Sequence, residues 1–480
     1  MRGEGMTDRV LVVDLDGTLV RSDLLLESFW AATAVDWRVP FHALTTLGRT
    51  GRRAALKRML ADRAAPDPAV LPYDPDVLAL IRDWRAEGGR TALVSAADDT
   101  LVQSVAAHLG LFDLARGSDG ETNLKGPAKA DFLREAFGAT GFAYVGDSPA
   151  DLPVWEAADA AITVGAPPAL RARVEARHPD ATHLAPPSGW SGPALRAIRP
   201  HQWLKNLLVF LPMLAAHQFD AATFLAAFGA FVAFCLVAGS VYLLNDLLDL
   251  AADRAHPRKQ ARPLASGALP IGRGMALVPV LLAAGLALAL ALDFRFLLVL
   301  VGYYALTVLY SVWLKRRQLI DIFVLATLYA LRVLAGAAAT GIELSVWLLA
   351  FSVFFFLSLA AVKRQAELID AIERGFDDAK GRGYMVEDLP IVTQIAIGSG
   401  FVAGLVMVLY LSEPSVMSRY SSPLLLWGSC VLLLYWVIRM VMATHRGRMH
   451  DDPVVFAARD PVSQLVIALI GSFYLGAALL

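Results

Sequence analysis

The sequence has little cysteine and little charge. Only two of the 480 residues are cysteines, Cys235 and Cys430, and both lie inside long apolar runs, so the sequence supports neither a disulfide framework nor a cysteine-based metal site. Charged residues make up 18% of the chain and hydrophobic residues 56%, whereas soluble domains have about 25% and roughly 45–50%, respectively. This composition excludes disordered, collagen-like and disulfide-rich chains, and it argues against a single soluble globule.

The charged and the apolar residues are divided unequally along the chain. Residues 1–200 carry 22 Lys/Arg and 26 Asp/Glu, whereas residues 201–480 carry 21 and 18 together with almost all of the apolar excess. We therefore predict a soluble domain at 1–180, a linker rich in Pro, Gly and Ser at 181–198, and a membrane domain at 199–480. The first residues lack the pattern of a signal peptide, so we expect the soluble domain to stay in the cytoplasm.

The membrane domain contains nine apolar runs of about the length that crosses a bilayer. With the soluble domain in the cytoplasm, the loops on that side carry 16 Lys/Arg, and the loops on the opposite side carry only Arg295 and Arg419. Because positive charge is enriched in cytoplasmic loops, the sequence predicts an all-α, nine-helix, multi-pass domain in the inner (plasma) membrane. The predicted spans are 202–217, 222–244, 275–292, 296–313, 319–340, 346–363, 391–411, 423–442 and 462–480.

The soluble domain alternates short apolar runs with helix-length segments, which predicts an α/β doubly wound fold with a parallel sheet. Ligands of such sheets bind at the carboxyl ends of the strands. Polar residues follow several of the strand-like runs, and we expect them to share one site. These residues are Asp14, Asp16, Ser95, Lys125, Asp147 and Asp151.

The residue types of this set suit phosphoryl transfer to a carboxylate. Asp14 would attack phosphorus, and Asp16 would protonate the leaving oxygen and later activate water. Ser95 and Lys125 would hold the transferring oxygens, where charge must be stabilised, and Lys129 competes with Lys125 for the lysine role. Mg²⁺ prefers oxygen ligands and would use the carboxylates together with a phosphate oxygen.

The soluble domain resembles the haloacid dehalogenase (HAD) superfamily in four segments, which are DLDGT at 14–18, Ser95, Lys125 with Gly126, and GDSPAD at 146–151. The resemblance implies a Mg²⁺-dependent phosphatase with a small helical cap between about residues 21 and 75. It favours Lys125 over Lys129, because the position of Lys125 and its following glycine fit the family better. One Mg²⁺ would be held by Asp14, Asp16, Asp147 and Asp151.

A second set of acidic residues lies at the border of an apolar span, in the sequence SVYLLNDLLDLAADRAHPRKQARPLASG. Asp246, Asp249 and Asp253 are spaced i, i+3 and i+7, so one helix face would present all three carboxylates. Carboxylates at the rim of a bilayer are costly without cations, and divalent metal that bridges a diphosphate is a suitable partner. Lys259 and Arg262 follow within reach of phosphate oxygens, the arginine with a bidentate fork.

The stretch NDLLDLAAD resembles the NDxxDxxxD motif of the UbiA superfamily of membrane prenyltransferases, which have nine helices around a central cavity. Ordinary members carry a second Asp-rich motif after the sixth helix, whereas this chain has Lys363, Arg364, Glu367 and Asp370 there. Such a cation-rich pocket suits a substrate with more phosphate than a prenyl diphosphate has. One branch of this superfamily transfers phosphoribose to decaprenyl phosphate. This chain resembles that branch at residues 199–206, 256–267, 310–336 and 362–368.

The two resemblances together imply a bifunctional enzyme. The membrane domain would transfer phosphoribose from phosphoribosyl diphosphate to polyprenyl (decaprenyl) phosphate, with Asp246, Asp249 and Asp253 holding one or two Mg²⁺ on the leaving diphosphate. The HAD domain would then remove the 5-phosphate, which gives a precursor of lipid-linked arabinose or a related pentose for cell-envelope glycans. Nucleic acid is not an expected partner, and the sequence leaves a homo-oligomer open. Substrate contacts are predicted at Lys205, Asn245, Lys259, Arg262, Tyr310, Lys315, Lys363, Arg364 and Glu367.

Several alternatives stay open. The membrane domain could be an aromatic, quinone-type prenyltransferase fused to a phosphatase, and the soluble domain could be a non-enzymatic regulator, although its intact set of site residues argues against that. Asp321 and Arg332, on one predicted helix, either serve the function or form an internal salt bridge. Lys315 could orient the loops in the membrane instead of binding phosphate, and Asn245 could cap a backbone group.

Overall fold

The structure is a computed structural model, and it describes residues 9–50, 56, 59–60, 63–119, 123–138, 141–184, 189–377, 382–417, 420–449 and 452–479. The chain divides into two compact units. The first contains Met1–Ile198 and Tyr242–Val278, and the second contains Arg199–Val241 and Pro279–Leu480. The units do not follow a single cut in the sequence, because 242–278 belongs with the N-terminal residues.

The regular elements are numbered in chain order. The strands are β1 (Val10–Val13), β2 (Arg90–Asp98), β3 (Leu114–Ser118), β4 (Phe142–Gly146), β5 (Ala160–Val164) and β6 (Thr182–Leu184). The α-helices are α1 (Leu24–Val35), α2 (Val39–Thr50), α3 (Pro75–Ala86), α4 (Asp99–Leu109), α5 (Pro127–Phe137), α6 (Leu152–Ala157), α7 (Pro168–Glu175), α8 (Ser191–Ala197), α9 (Leu211–Ala216), α10 (Ala221–Leu248), α11 (Leu250–Arg254), α12 (Ile271–Leu292), α13 (Phe294–Val312), α14 (Ile320–Thr340), α15 (Val346–Glu373), α16 (Leu389–Leu411), α17 (Pro414–Met417), α18 (Trp427–His445), α19 (Pro453–Arg459) and α20 (Pro461–Leu479). The 3₁₀-helices are Pro68–Val70, Pro149–Asp151, Pro200–Phe210, Lys259–Ala261, Leu314–Arg316, Val386–Asp388 and Pro423–Leu426.

The first unit contains a six-stranded parallel sheet with the order β3-β2-β1-β4-β5-β6. Val13 of β1 pairs with Leu93 of β2 on one side and with Val145 of β4 on the other. The chain fills one half of the sheet before it crosses to the other, so the crevice at the ends of β1 and β4 is the switch point where doubly wound sheets bind ligands. The predicted α/β doubly wound fold is confirmed.

The sheet is buried on both faces, because alternate side chains of β1 enter two different hydrophobic cores. Leu11 and Val13 pack in a cluster that contains Ile81 of α3. Val10 and Val12 pack on the opposite face, in a cluster that contains residues of α5 and α6. This burial holds β1 rigidly and thereby fixes the position of the residue that follows it.

Two helices follow the first strand, in the range that was predicted as a cap. Helices α1 and α2 pack together through Ala32, Val39 and Ala43, with Leu56 and Leu60 in the same cluster. The two helices therefore share a small core of their own. Parts of the predicted cap lie outside the described residues, namely 51–55, 57–58 and 61–62.

The segment predicted as a linker, 181–198, contains two regular elements. Strand β6 pairs in parallel with β5, where Ile162 lies opposite Thr182, and α8 covers Ser191–Ala197. Residues 185–188 of the segment lie outside the described residues. The three domain boundaries stay a prediction.

Among the described residues, seven helices are long and apolar enough to cross a membrane, and eight if one bent pair counts as a single span. The bent pair is Pro453–Arg459 with Pro461–Ala477, which meet at 85°. A chain with so many apolar helices is a multi-pass membrane protein. The seven helices are Ala221–Leu248, Ile271–Leu292, Phe294–Val312, Ile320–Thr340, Val346–Glu373, Val386–Leu411 and Pro423–His445.

The predicted count of nine helices is not confirmed among the described residues. The first predicted span, 202–217, consists of the 3₁₀-helix Pro200–Phe210 followed by the short α9. Pro212 lies at the start of α9, and because proline has no backbone N–H it cannot continue α-helical hydrogen bonding from the preceding turn. The last predicted span, 462–480, lies in the longer member of the bent pair.

Glycines allow the helices of the second unit to approach one another closely. A Cβ added at Gly400 of α16 would lie 2.3 Å from Cγ1 of Val437 on α18. A Cβ added at Gly336 of α14 would lie 1.9 Å from the carbonyl oxygen of Val209, in the 3₁₀-helix of the first predicted span. Close backbone approach through small residues is typical of membrane bundles, so this irregular segment is an integral part of the packing.

Two candidate active sites

Three carboxylates meet at the switch point of the sheet. Asp14 follows β1, Asp147 follows β4, and Asp151 ends the 3₁₀-helix after β4. One ligand atom from each of the three lies within 4.8 Å of the others, which makes them a group that could hold a metal ion. The backbone N–H of Asp14 donates to the carbonyl of Val145 at 3.0 Å, so the pairing of the two strands sets this geometry.

A buried lysine neutralises part of this acidic group. Lys129 Nζ lies 3.0 Å from Asp14 Oδ1 and 3.5 Å from Asp151 Oδ1. Lys129 also donates to the hydroxyl of Tyr144 at 2.9 Å, and Tyr144 in turn donates to Asp151 at 2.8 Å. The lysine and the tyrosine therefore hold two of the three carboxylates in one buried network.

The preference for Lys125 over Lys129 needs correction. Lys125 lies in an exposed position on the wall of the cavity, whereas Lys129 contacts the carboxylates. Gly126, with a φ of +57°, turns the chain into α5. Helical side chains tilt toward the helix N-terminus, so Lys129, in the first turn of α5, reaches back to the strand ends. This geometry favours Lys129 as the phosphate-binding lysine.

The pKa shifts of Asp14, Asp147 and Lys129 indicate that this site can bind a cation. Burial raises the pKa of Asp147 to about 8, and repulsion from the charged forms of Asp14 and Asp151 adds to this effect. Burial likewise raises the pKa of Asp14, even though Lys129 opposes the rise. Burial alone would lower the pKa of Lys129, but Asp14 and Asp151 raise it overall. The donor set of buried carboxylates therefore fits a hard divalent cation such as Mg²⁺.

Asp16 and Ser95 also lie in this site, as predicted. Asp16 Oδ1 accepts a hydrogen bond from the backbone N–H of Leu24 at 2.8 Å, which ties the aspartate to the start of α1. Ser95 is buried in the second half of β2, and its hydroxyl accepts from the N–H of Ala97 at 3.2 Å. Both residues line one cavity of 1160 Å³ together with the three carboxylates and Lys125. All six predicted residues of the soluble site therefore share this cavity.

The acidic residues of the second predicted site lie where α10 ends and α11 begins. Asp246 and Asp253 are buried, and both accept from Arg262 Nη1, at 3.1 and 2.5 Å. Asp249 is half-buried between the two helices, and its N–H donates to the carbonyl of Asn245 at 2.9 Å. Burial raises the pKa of Asp253, although Arg262 opposes the rise. Arg262 therefore contacts two of the three acids. The carboxylate oxygens of the three acids are ligands suited to a divalent cation.

A group of cations lies in the second unit, around an aspartate that sequence reasoning missed. Asp452 Oδ2 lies 2.7 Å from Lys205 Nζ and 3.5 Å from Lys363 Nζ, and both Asp452 oxygens accept from the hydroxyl of Tyr329. Asp452 also caps α19 by accepting from the N–H of Val454. An Asp-Pro pair at the start of a helix was the available signal, but it pointed only to a cap.

Arg364 does not belong to this group of cations. Its side chain is fully buried, and Nη2 lies 2.6 Å from Asp321 Oδ2. Arg364 also pairs with Glu367, and Tyr384 donates to Asp321 at 2.6 Å. An arginine enclosed in this way stabilises the helix packing, so the expectation that Arg364 contacts a phosphate directly needs correction. Glu367 is half-buried and lies 3.4 Å from Nε of Arg382.

The suggested salt bridge between Asp321 and Arg332 does not form. Asp321 pairs with Arg364, whereas Arg332 Nε donates to the side-chain oxygen of Asn206 at 2.9 Å and Nη2 donates to the hydroxyl of Tyr303 at 2.9 Å. The two residues therefore belong to separate buried networks in the second unit.

The remaining predicted contact residues are distributed over both units. Tyr310 accepts from Arg382 Nη1 at 2.8 Å, and Lys315 is half-buried in a 3₁₀-helix near it in the sequence. Lys259 is exposed in the 3₁₀-helix Lys259–Ala261, and Asn245 is half-buried on the last turn of α10.

Two protein families match the chain. The UbiA prenyltransferase family matches residues 206–460. The haloacid dehalogenase-like hydrolase family matches residues 11–156. The first match contains the acidic residues around α10 and α11, and the second contains the carboxylates at the ends of β1 and β4.

Three relatives show how these parts occur elsewhere. The uncharacterized protein y4nM of Sinorhizobium fredii is 40% identical over 479 residues, which cover 97% of this chain and 90% of that protein. The nodulation protein NoeC of Azorhizobium caulinodans is 38% identical over 56% of this chain and 88% of its own length. The decaprenyl-phosphate phosphoribosyltransferase of Mycolicibacterium smegmatis is 39% identical over 202 residues, which cover 39% of this chain and 64% of that protein.

Proposed function

We propose a two-step function for this chain, which belongs to the UbiA prenyltransferase family and carries a haloacid dehalogenase-like hydrolase domain at its N-terminus. In the first step, phosphoribose moves from phosphoribosyl diphosphate to polyprenyl (decaprenyl) phosphate, and diphosphate leaves. In the second step, the N-terminal domain removes the 5-phosphate from the lipid-linked sugar. The product is a polyprenyl-phosphate pentose, which serves as a precursor of arabinan-type cell wall glycans.

One observation carries this proposal: the chain combines a buried carboxylate–lysine phosphatase site with a transferase part that is similar to decaprenyl-phosphate phosphoribosyltransferases. A phosphoribosylated lipid would carry a 5-phosphate monoester, which is the kind of group that the first site is built to hydrolyse. The two sites therefore act on the same phosphorylated sugar in sequence.

The phosphatase step follows from the geometry around Asp14. An Asp14 oxygen attacks the phosphorus, the bond between phosphorus and the sugar oxygen breaks, and Asp16 gives a proton to that oxygen. Water, activated by Asp16, then hydrolyses the aspartyl phosphate. Lys129 stabilises the charge on the transferring group, and Ser95 donates to one of its oxygens.

Mg²⁺ fits the phosphatase site, because three carboxylates crowd together there with a single lysine. Asp14, Asp147 and Asp151 would hold one ion, with Asp16 beside them. When bound, the ion supplies neutralisation of the phosphoryl oxygens and of the carboxylates themselves.

The transferase step uses the acidic residues at the end of α10. Asp246, Asp249 and Asp253 would hold one or two Mg²⁺, which supply neutralisation of the leaving diphosphate. An oxygen of the polyprenyl phosphate attacks C1 of the ribose as the bond from C1 to the diphosphate oxygen breaks. Arg262 already contacts two of the acids and is suited to bind the diphosphate through charge-assisted hydrogen bonds.

The cations around Asp452 are suited to the 5-phosphate of the donor. Lys205 and Lys363 share one carboxylate, so this group carries an excess of positive charge. Lys259, Lys315, Tyr310 and Asn245 supply further contacts to phosphate or ribose. Arg364 pairs with Asp321 and Glu367, so these residues act through the helix packing and not through contact with the donor.

We also propose nine membrane crossings, with Pro200–Phe210 and α9 as the first and the bent pair α19–α20 as the last. The N-terminal domain lies on the cytoplasmic side of the inner membrane, with α1 and α2 as its cap. The support is the distribution of charge, because loops assigned to the cytoplasm carry 16 Lys/Arg. Labelling of single cysteines introduced at Glu343 and at Arg446 in intact cells tests this topology, since only the first should react with an impermeant reagent.

Incubation of membranes that contain the full chain tests the function directly. Ribose-labelled phosphoribosyl diphosphate and polyprenyl phosphate should give a labelled lipid that lacks a phosphate monoester. A chain that leaves the lipid unlabelled under these conditions contradicts the transferase step. Labelling of an aromatic acceptor from a prenyl diphosphate would instead support the quinone-type alternative.

A further inference from the structure

The cavity that holds Asp14 has a wall that lies outside the HAD-like match. The lining residues Gly267, Ala268 and Pro270–Arg273 belong to the UbiA match at 206–460, yet they lie in the same compact unit as the phosphatase site. We call residues 267–273 the transferase wall. Its presence means that the phosphatase cavity is incomplete without part of the other family domain.

A buried ion pair anchors the segment that leads to the transferase wall. Arg254 donates from Nη1 and Nη2 to the two carboxylate oxygens of Glu27 on α1, at 2.8 and 2.6 Å. Arg254 Nε donates to the carbonyl of Ala265 at 2.9 Å, and Ser22 donates to Glu27. Both charged side chains are buried, so the pair is a specific, bidentate contact between α1 and the chain just before the wall.

The transferase wall also packs directly on the backbone of the phosphatase domain. Gly267 has a φ of +73°, and a Cβ there would lie 2.6 Å from the carbonyl oxygen of Arg21. A Cβ at Gly272 would lie 3.6 Å from Cδ1 of Leu26. The first is a close backbone approach and the second an ordinary van der Waals distance, and both fall on the loop and helix that follow Asp16, so the wall is in a defined place relative to the reacting carboxylates.

Among the described residues, the cations that line the cavity are Arg21, Lys125, Lys129 and Arg273, and they differ in their partners. Lys125 is exposed just before the start of α5. Lys129 is occupied by the carboxylates, and Arg21 pairs with Asp74 at 2.7 Å. Arg273, on the transferase wall, is exposed, and its guanidinium lies 5.0 Å from the centre of the Trp190 ring. Within the described part of the chain, no carboxylate pairs with Arg273. A guanidinium contacts an aromatic ring through its flat face, whereas its five N–H donors lie along its edge. The contact with Trp190 therefore leaves N–H donors of Arg273 available for an anion.

We infer that Arg273, held against Trp190, is a specificity-determining residue of the phosphatase that binds a second anionic group of the substrate. The substrate class is a sugar phosphate monoester that carries a further phosphate at the other end of the sugar. The cavity of 1160 Å³ has room for such a molecule, whereas a lone phosphate would fill a small part of it. The identification of the second anion as a lipid phosphodiester rests on the proposed function.

Hydrolysis of three related sugars by the full-length protein in detergent with Mg²⁺ tests this inference. Ribose 5-phosphate lacks the second anion, ribose 1,5-bisphosphate has it without a lipid, and the polyprenyl-linked ribose 5-phosphate has it within a phosphodiester. Release of the 5-phosphate is followed by separating the products. We expect kcat/KM for the bisphosphate to exceed that for ribose 5-phosphate at least tenfold, mainly through KM.

Arg273→Ala should reduce this preference to within about twofold of equality, and Arg273→Lys should restore part of it. Arg258→Ala is the matched control, because Arg258 is an exposed arginine of the same compact unit, ahead of α12, that does not line the cavity. The ratio of the two kcat/KM values is insensitive to a loss of active protein, so a poorly folded variant still reports on specificity. Equal rates for the two sugars in the unmodified protein, or an unchanged ratio in Arg273→Ala, would overturn the inference.

The third substrate distinguishes the source of the second anion. Faster hydrolysis of the lipid-linked sugar than of the bisphosphate identifies the lipid phosphodiester as the natural anion, and the reverse order identifies a soluble sugar bisphosphate. A chain that keeps the Arg273-dependent preference but labels no lipid from phosphoribosyl diphosphate separates the two proposals. In that case the transferase wall stands and the proposed function fails.

Discussion

The phosphatase site of the first unit and the group around Asp452 in the second unit carry opposite excesses of charge. At the ends of β1 and β4, three carboxylates surround one lysine. Around Asp452 in the second unit, two lysines share one carboxylate. A buried site with surplus negative charge is stabilised by a cation, and a site with surplus positive charge is stabilised by an anion. The comparison therefore indicates metal binding in the first case and phosphate binding in the second.

Arg262 of the first unit and Arg364 of the second unit differ in how far their side chains are exposed to solvent. Arg262 is paired with Asp246 and Asp253, but 28% of its side chain is exposed. Arg364 is paired with Asp321 and is fully enclosed. An arginine with access to solvent can exchange its partners for a phosphate, whereas a fully enclosed one would leave a buried charge behind. The exposure of a paired arginine therefore distinguishes a binding residue from a packing residue, a distinction that the sequence alone does not provide.

The largest effect is expected from removal of the phosphatase nucleophile. Asp14→Asn should lower hydrolysis of the 5-phosphate on the order of 10⁴-fold, because the amide cannot form the aspartyl phosphate. Lipid phosphoribosylation should continue, so labelled membranes should accumulate the lipid product with its 5-phosphate. Asp131→Asn, at an exposed aspartate of the same domain, is the control. Equal loss of both activities in a folded variant would contradict two separate sites.

The next effect concerns the acidic residues of the transferase. Asp246→Ala or Asp249→Ala should lower formation of the lipid product on the order of 100-fold or more, because the metal that neutralises the diphosphate loses a ligand. Chelation of Mg²⁺ should have the same effect, and Glu343→Ala, at an exposed glutamate, should not. Phosphoribosyl transfer that persists without metal would refute the role of these carboxylates.

The two lysines of the phosphatase cavity should differ in their importance. Lys129→Met should lower kcat for phosphatase activity about 100-fold, because the charge on Asp14 and on the phosphoryl oxygens loses its buried partner. Lys125→Met should change kcat by about threefold or less, since an exposed lysine is screened by water. Measurement of kcat for both variants on one substrate makes each the control for the other. The opposite order would restore Lys125 to the role assigned from the sequence.

A smaller effect than that of Lys129→Met is expected at Lys363, and it should separate from the effect at Arg364. Lys363→Ala should raise KM for phosphoribosyl diphosphate about tenfold, since one charge-assisted hydrogen bond is lost. Arg364→Ala should instead lower the free energy of unfolding by about 3–5 kcal/mol, because Asp321 is left buried without its partner. Donor titrations and thermal unfolding in detergent measure the two effects. An increase of KM in Arg364→Ala without loss of stability would return that arginine to the binding site.

Local sequence was sufficient wherever the chemistry depends on neighbouring residues. The strand ends that carry Asp14 and Asp147 were predictable, because alternating burial and parallel pairing place the ends of strands at one edge of a sheet. Most of the predicted apolar spans coincide with long helices, because span length is set by the bilayer. The 85° angle between α19 and α20 was not predictable, since a hydropathy pattern does not report how two helices meet.

Partners that are distant in sequence were decided by the tertiary structure alone. Asp14 and Lys129 are separated by 115 positions, and Glu27 and Arg254 by 227. Whether Arg364 contacts a phosphate or Asp321 depends on how α14 and α15 pack together, and the sequence of either helix alone does not predict it. The sequence by itself determined which residues carry charge and where each regular element ends. The tertiary structure decided which charges meet, because the energy of an ion pair depends on distance and burial, which only the packed chain defines.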